Sequence, residues 1–167
     1  MSPSPTSDNE ILMHERVVIK RRQLWKKLKG PDFQPEWFMT RIKPHMWAID
    51  EIYRHMLGSE IFYIHSKFGE RRIRDEWAVG AQWVGDRHFG FKEKRHYSRE
   101  ELFELTGPVE QKSRDCLQDL TENDLGTPVM APWGEEMTFR EIIHHCFEHE
   151  HQHRGQIQYL ITYFKQL

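Results

Sequence analysis

Histidine is the residue type whose placement could do chemistry here. The chain has 167 residues and 11 histidines, and five of these fall between positions 144 and 153. A neutral imidazole offers a lone pair near pH 7 and suits divalent metal ions. Two imidazoles at i and i+4 of a helix lie one above the other, close enough to grip one ion. At ~100° per residue, Ile142, His145, His149, His153, Gln156 and Leu160 share one stripe. His144 and His151 fall on roughly the opposite side and should point away. Glu150 is the acid inside the His149/His153 pair. It is a candidate base, although it lies off the stripe. Gln156, one turn past His153, could orient a ligand imidazole.

The residues from 149 to 153 spell H-E-x-x-H, which is also the zinc-protease motif. Those families take a third ligand from downstream. The fourteen residues after His153 hold no His, Asp, Glu or Cys, so a third ligand has to come from upstream. The element that carries the motif is a helix over 138–165. Thr138 and Glu141 match a capping box at its start, and no proline follows.

The upstream partner should sit on another long helix. Positions 46–68 have that character, with Ala48, Ile52, His55, Ser59, Phe62 and Ser66 on the inner stripe. His55 lies in the middle of it and can complete a three-histidine set. His65 lies off it. Two further helices are expected over 9–29 and 98–120. In the first, Ile11, Val18, Leu24, Trp25 and Leu28 are the apolar positions, and Gly30-Pro31 ends it. Its basic residues Lys20, Arg21, Arg22, Lys26, Lys27 and Lys29 read as a solvated face. Ser98 and Glu101 cap the second, whose apolar face is Leu102, Leu105, Val109 and Leu117. Gly107-Pro108 inside it implies a kink or break.

The connections are long. Residues 31–44 should hold a short helical turn at 35–39, and residues 127–134 should be extended with a turn near Gly134. The segment from 69 to 97 has no clean period and reads either as a lid or binding loop or as a broken helix covering the bundle end. The polar stretch 1–8 reads as a flexible lead-in to a single domain over 9–167. The expected fold is all-α, a four-helix bundle.

Composition narrows the function classes. Hydrophobic residues make up 38% and charged residues 30%, with a formal net charge of -2. That balance argues against bulk binding of nucleic acid or a membrane surface. The two cysteines, Cys116 and Cys146, make no disulfide framework and fit a reducing, cytoplasmic compartment. No apolar run approaches the ~18 residues of a membrane span.

Three stretches together resemble the DinB/YfiT-like superfamily of four-helix-bundle metalloproteins. One is His55-Met-Leu-Gly-Ser-Glu60, a mid-helix histidine with an acid five positions on. The second is the segment from Leu120 to Glu141 that leads into the last helix. The third is His145-x3-His149-x3-His153-Arg-Gly-Gln-Ile157. The resemblance implies a divalent metal held by His55, His149 and His153, with zinc the first choice and nickel close behind. It also implies a small-molecule substrate, a low-molecular-weight thiol among them, and a homodimer.

A thiol-dependent S-transferase or related metal-dependent enzyme is the leading reading. A metal-dependent hydrolase and a non-catalytic, stress-related metal-binding protein are the alternatives. A fourth protein ligand, His145 or Cys146, would favour the last of these. A ferritin-like di-iron site is excluded, because its two Glu-x-x-His motifs would both lie on one helix.

Overall fold

The computed structural model describes residues 8–65, 96–131 and 133–167. The lead-in up to residue 7, the end of the second helix beyond residue 65 and most of the 69–97 segment, read as a lid, a binding loop or a broken helix, lie outside these. Four long helices dominate: α1 (Asp8–Leu28), α2 (Ile49–Glu60, continued by a π-helical turn Ile61–His65), α3 (Arg99–Gln118) and α5 (Phe139–Phe164). A single turn, α4 (Glu122–Leu125), follows α3. β1 (Pro128–Met130) then pairs antiparallel with β2 (Glu136–Thr138). Between these strands Gly134 takes φ of +91°, a conformation glycine adopts without steric cost. The turn expected at 35–39 is a 3₁₀ helix, Pro35–Met39. α1 and α2 each pack on both α3 and α5, which makes an all-α four-helix bundle.

Local chemistry sets the helix starts. Thr138 Oγ1 accepts from the Glu141 amide, while the Glu141 carboxylate takes the Thr138 amide at 2.7 Å. Ser98 and Glu101 make the same reciprocal pair. Such caps contribute ~1 kcal/mol each. The second helix starts three residues later than the sequence pattern indicates. Glu51 accepts from the Ala48 amide at 2.8 Å and so fixes Ala48 as the residue before the first turn.

A break in α3 and an inward Leu105 are not found, for identifiable reasons. α3 runs through Gly107-Pro108 without a break. The carbonyl that proline leaves unbonded belongs to Glu104, on the exposed side, where water can satisfy it. Leu105 is 40% exposed, and the inner positions of α3 are Leu102, Thr106, Ser113 and Leu117. Thr106 is buried because it has partners. Its hydroxyl donates to the Leu102 carbonyl at 2.7 Å and meets Tyr53 Oη at 2.9 Å, which in turn accepts from Trp25 Nε1 at 2.6 Å.

The apolar core comes in two parts. One holds Leu24, Leu28, Met56, Leu57, Leu102, Ile157 and Leu160; the other holds Val17, Ile64, Leu117, Leu125, Ile143 and Phe147. Along each long helix a buried or half-buried polar residue stands between the two: Arg21 on α1, Glu60 on α2, Glu110 on α3 and Glu150 on α5. Arg21 therefore corrects the sequence reading. It is fully buried, whereas the other basic residues of α1 and its end are exposed. Its Nε donates to Glu150 Oε1 at 2.8 Å, and its Nη2 bonds both the second Glu150 oxygen and Glu60. His14 Nε2 closes on the other Glu60 oxygen at 2.9 Å, and Glu110 lies 3.6 Å from Arg21 Nη1. Buried carboxylates need such partners, since an unpaired charge in a core costs several kcal/mol.

Candidate metal centre

α2 and α5 bring His55, His149 and His153 together. His149 Nε2 lies 3.0 Å from His55 Nε2 and 3.0 Å from His153 Nε2. The ring centroids are 4.3–4.8 Å apart and the planes are steeply inclined, so the rings converge tip to tip instead of stacking. Nitrogens bound at about 2.0–2.1 Å to one ion stand at comparable separations.

A proton count gives the same answer. His149 Nε2 faces two other ring nitrogens, and its buried Nδ1 meets no hydrogen-bond partner among the described residues. Three lone pairs directed at one cation satisfy the arrangement. Burial, with His153 and His145 nearby, pushes His149 down to about 4, and burial also lowers His153. Both are neutral at pH 7, the form that binds metal. The donor set thus fits a divalent ion.

Supporting groups surround the trio. His153 Nδ1 lies 2.8 Å from Gln156 Oε1, so Gln156 holds the ring with Nε2 turned inward. Trp47 covers the set from the lead-in to α2, its ring 5.1 Å from His55 and nearly parallel to His153 at 6.3 Å. Beside His153 a cleft of roughly 800 Å³ opens to solvent.

The other singled-out residues lie elsewhere. His145 packs on Trp133 and Tyr63, with its ring 6.0 Å from that of His149, and is not in the ligand group. Cys146 is buried, which pushes its thiol up, and it too is outside the group. His144 reaches Glu10, and His151 meets Arg154 at the surface. Glu150 faces Arg21. Burial raises its carboxyl while Arg21 opposes that, and the site lacks it as a base. At Glu60 burial also works against the charge, but Arg21 and His14 outweigh it and hold the carboxyl well below its ordinary range.

Sequence reasoning missed a second cluster, Asp50, Glu51 and His96. Arg41 grips both oxygens of Glu51, and one Asp50 oxygen takes His96 Nδ1 and the Tyr97 amide. These bonds tie the approach to α3 onto the first turn of α2.

The model of the DinB superfamily matches residues 20–157, most of the chain and all three histidines. The chain belongs to the DinB superfamily. A crystal structure of a DinB-like protein, YjoA, from Bacillus subtilis resembles this one with a TM-score of 0.59. The match has 17% identity and covers 93% of this chain and 90% of that one, a likeness of DinB fold. No curated protein matches the chain. Among the described residues, no helix of this DinB protein is long and apolar enough to cross a membrane.

Proposed function

We propose that this DinB protein is a metal-dependent enzyme, a thiol-dependent S-transferase or a close relative, working in the cytoplasm on a small-molecule substrate. The observation that carries the reading is the convergence of His55, His149 and His153 beside a cleft that His153 lines. A divalent ion there, zinc first and nickel second, would supply a Lewis-acidic position that favours the deprotonated form of a thiol or water. The residues do the rest. His149 and His153 keep their lone pairs at neutral pH. Gln156 fixes the tautomer of His153, and Trp47 shields the imidazoles from one side. Glu150 stays with Arg21, so proton removal does not depend on it.

The non-catalytic reading calls for a closed ligand shell. With His145 and Cys146 outside the group, an open position is favoured. A hydrolase would use the same opening, and the assay separates the two: the loaded protein is incubated with a thiol plus an electrophile, and in parallel with simple esters. The ligand assignment has its own test in His55→Ala and His153→Ala, assayed for metal after dialysis. Both should lose it; a full equivalent retained by both would end the three-histidine reading. We also propose a homodimer, supported by Leu12 and Ile19, which are more than half exposed on α1. A light-scattering mass of one chain would count against it.

A further inference from the structure

The cleft beside the histidines has a chemistry of its own. Among the described residues, its lining includes no Asp, Glu, Lys or Arg. Its floor is Ile52 and Leu160, both buried, and its rim carries Tyr159, 62% exposed. Its volume lies in the range of small-molecule sites. With no metal bound, a charged group entering it would lose hydration and find no counter-charge among the described lining residues.

Among the described residues its polar groups are two amides, Gln152 and Gln156, two imidazoles, His45 and His153, the Tyr159 hydroxyl and the Trp47 indole N–H. Gln156 is already oriented. If His153 turns the Nε2 lone pair inward, its Nδ1 carries the proton and donates to Gln156 Oε1. The Gln156 NH2 is then left to donate. The wall accordingly offers N–H to an acceptor such as a carbonyl oxygen.

Gly155 supplies a second, independent observation. It lies within α5, where glycine weakens a helix, and it lines the cleft. A Cβ built on it meets nothing within 4 Å among the described residues. Glycine is therefore not required there by backbone geometry or by a described neighbour. The space that a side chain would fill belongs to the cleft.

We infer that this cleft binds an uncharged, aryl- or alkyl-bearing compound with a carbonyl-type acceptor, and that Gly155 is kept bare to admit it. The inference rests on the proposed metal reading for the tautomer of His153, and it names the substrate class of that site. Charge, shape and hydrogen-bond polarity all select in the same direction: neutral, apolar and accepting.

The test is calorimetric titration of the full chain with benzamide, benzoate and benzylamine, in metal-free and zinc-loaded forms. Benzamide should bind both forms, and the two charged isosteres should bind the metal-free form at least tenfold more weakly. Gly155→Leu should weaken benzamide at least tenfold at unchanged zinc content, and Gly155→Ala should weaken it less. Gly155→Ala, whose Cβ has open space, keeps the comparison interpretable should the leucine variant fail to fold. Equal or tighter binding of either charged isostere to the metal-free form would overturn the inference. So would absence of benzamide binding, or benzamide affinity that neither variant lowers. Zinc content reports separately on the metal reading, because the metal-free titration stands without it.

Discussion

His149 and Glu150 are neighbours on α5 and look into two different polar interiors. His149, which burial lowers to about 4, joins two other imidazoles at the edge of the bundle beside an open cleft. Glu150 joins Arg21 and Glu60 in a closed, charged layer between the two halves of the core. The first set has an unmet demand, since its lone pairs converge on each other. The second is largely met from within, guanidinium against carboxylate. One region is suited to receive a ligand and the other to hold helices together, although a single peptide bond separates them. The difference lies in direction: 100° of rotation along a helix changes the partners completely.

Breaking the charged layer should have the largest effect. Arg21→Met leaves Glu60 and Glu150 buried without their cation and should destabilise the fold by about 3–5 kcal/mol, read by urea denaturation. If the loss is under ~1 kcal/mol, the layer is not a structural clamp. Gln156→Ala probes the other side of the comparison. It should lower metal affinity by roughly 10–100-fold, while its exposed position leaves stability within about 0.5 kcal/mol. Competition with a chelator measures the first quantity and denaturation the second. Equal damage to both would erase the distinction between the regions.

A pH prediction follows from His65, which belongs to neither set. Its Nε2 lies 2.8 Å from Ser113 Oγ and 3.2 Å from the Val109 carbonyl, and burial lowers it to about 4 from an ordinary 6.5. Between those values the unfolded chain binds more protons, so stability rises with pH there and is lost as pH falls from 6.5 to 4. His65→Gln should flatten that acid limb in denaturation curves of the metal-free protein; an unchanged slope would remove His65 as its cause. The smallest expected change is a gain: Gly155→Ala should stabilise α5 by about 0.5–1 kcal/mol in thermal unfolding.

These contrasts match what could be read from the sequence. The imidazole trio was legible because i, i+4 spacing and a mid-helix His55 are periodic signals, and Gln156 continues the same stripe. The charged layer was not. Arg21 stands next to Lys20 and Arg22, so composition alone places it on a wet face. The signal that could have found it is position: His14, Val17, Arg21, Leu24 and Leu28 repeat at helical spacing, and all five are buried. In the same way, the buried face of α5 runs through Phe139, Ile143, Cys146, Glu150, Ile157 and Ile161, with the histidine stripe along its edge. β1 was seen only as extended chain and β2 was not seen, because three-residue strands are too short to show a period.

The charged layer has a consequence for sliding. Helices in contact through apolar ridges can shift by one turn, about 5.4 Å, and repack. Arg21 joins Glu60 of α2 and Glu150 of α5 in one grip, so a slip of α2 past α5 would strand a carboxylate in the core. Polar contacts inside apolar seams fix register in this way. His55 stands one helical turn or so from Glu60, and His149 adjoins Glu150. A one-turn slip would therefore carry His55 away from His149 by more than the 3.0 Å that now separates their nitrogens. The ion cluster serves as the gauge for the imidazoles: it sets the distance between them from a part of the molecule that the ligand never touches.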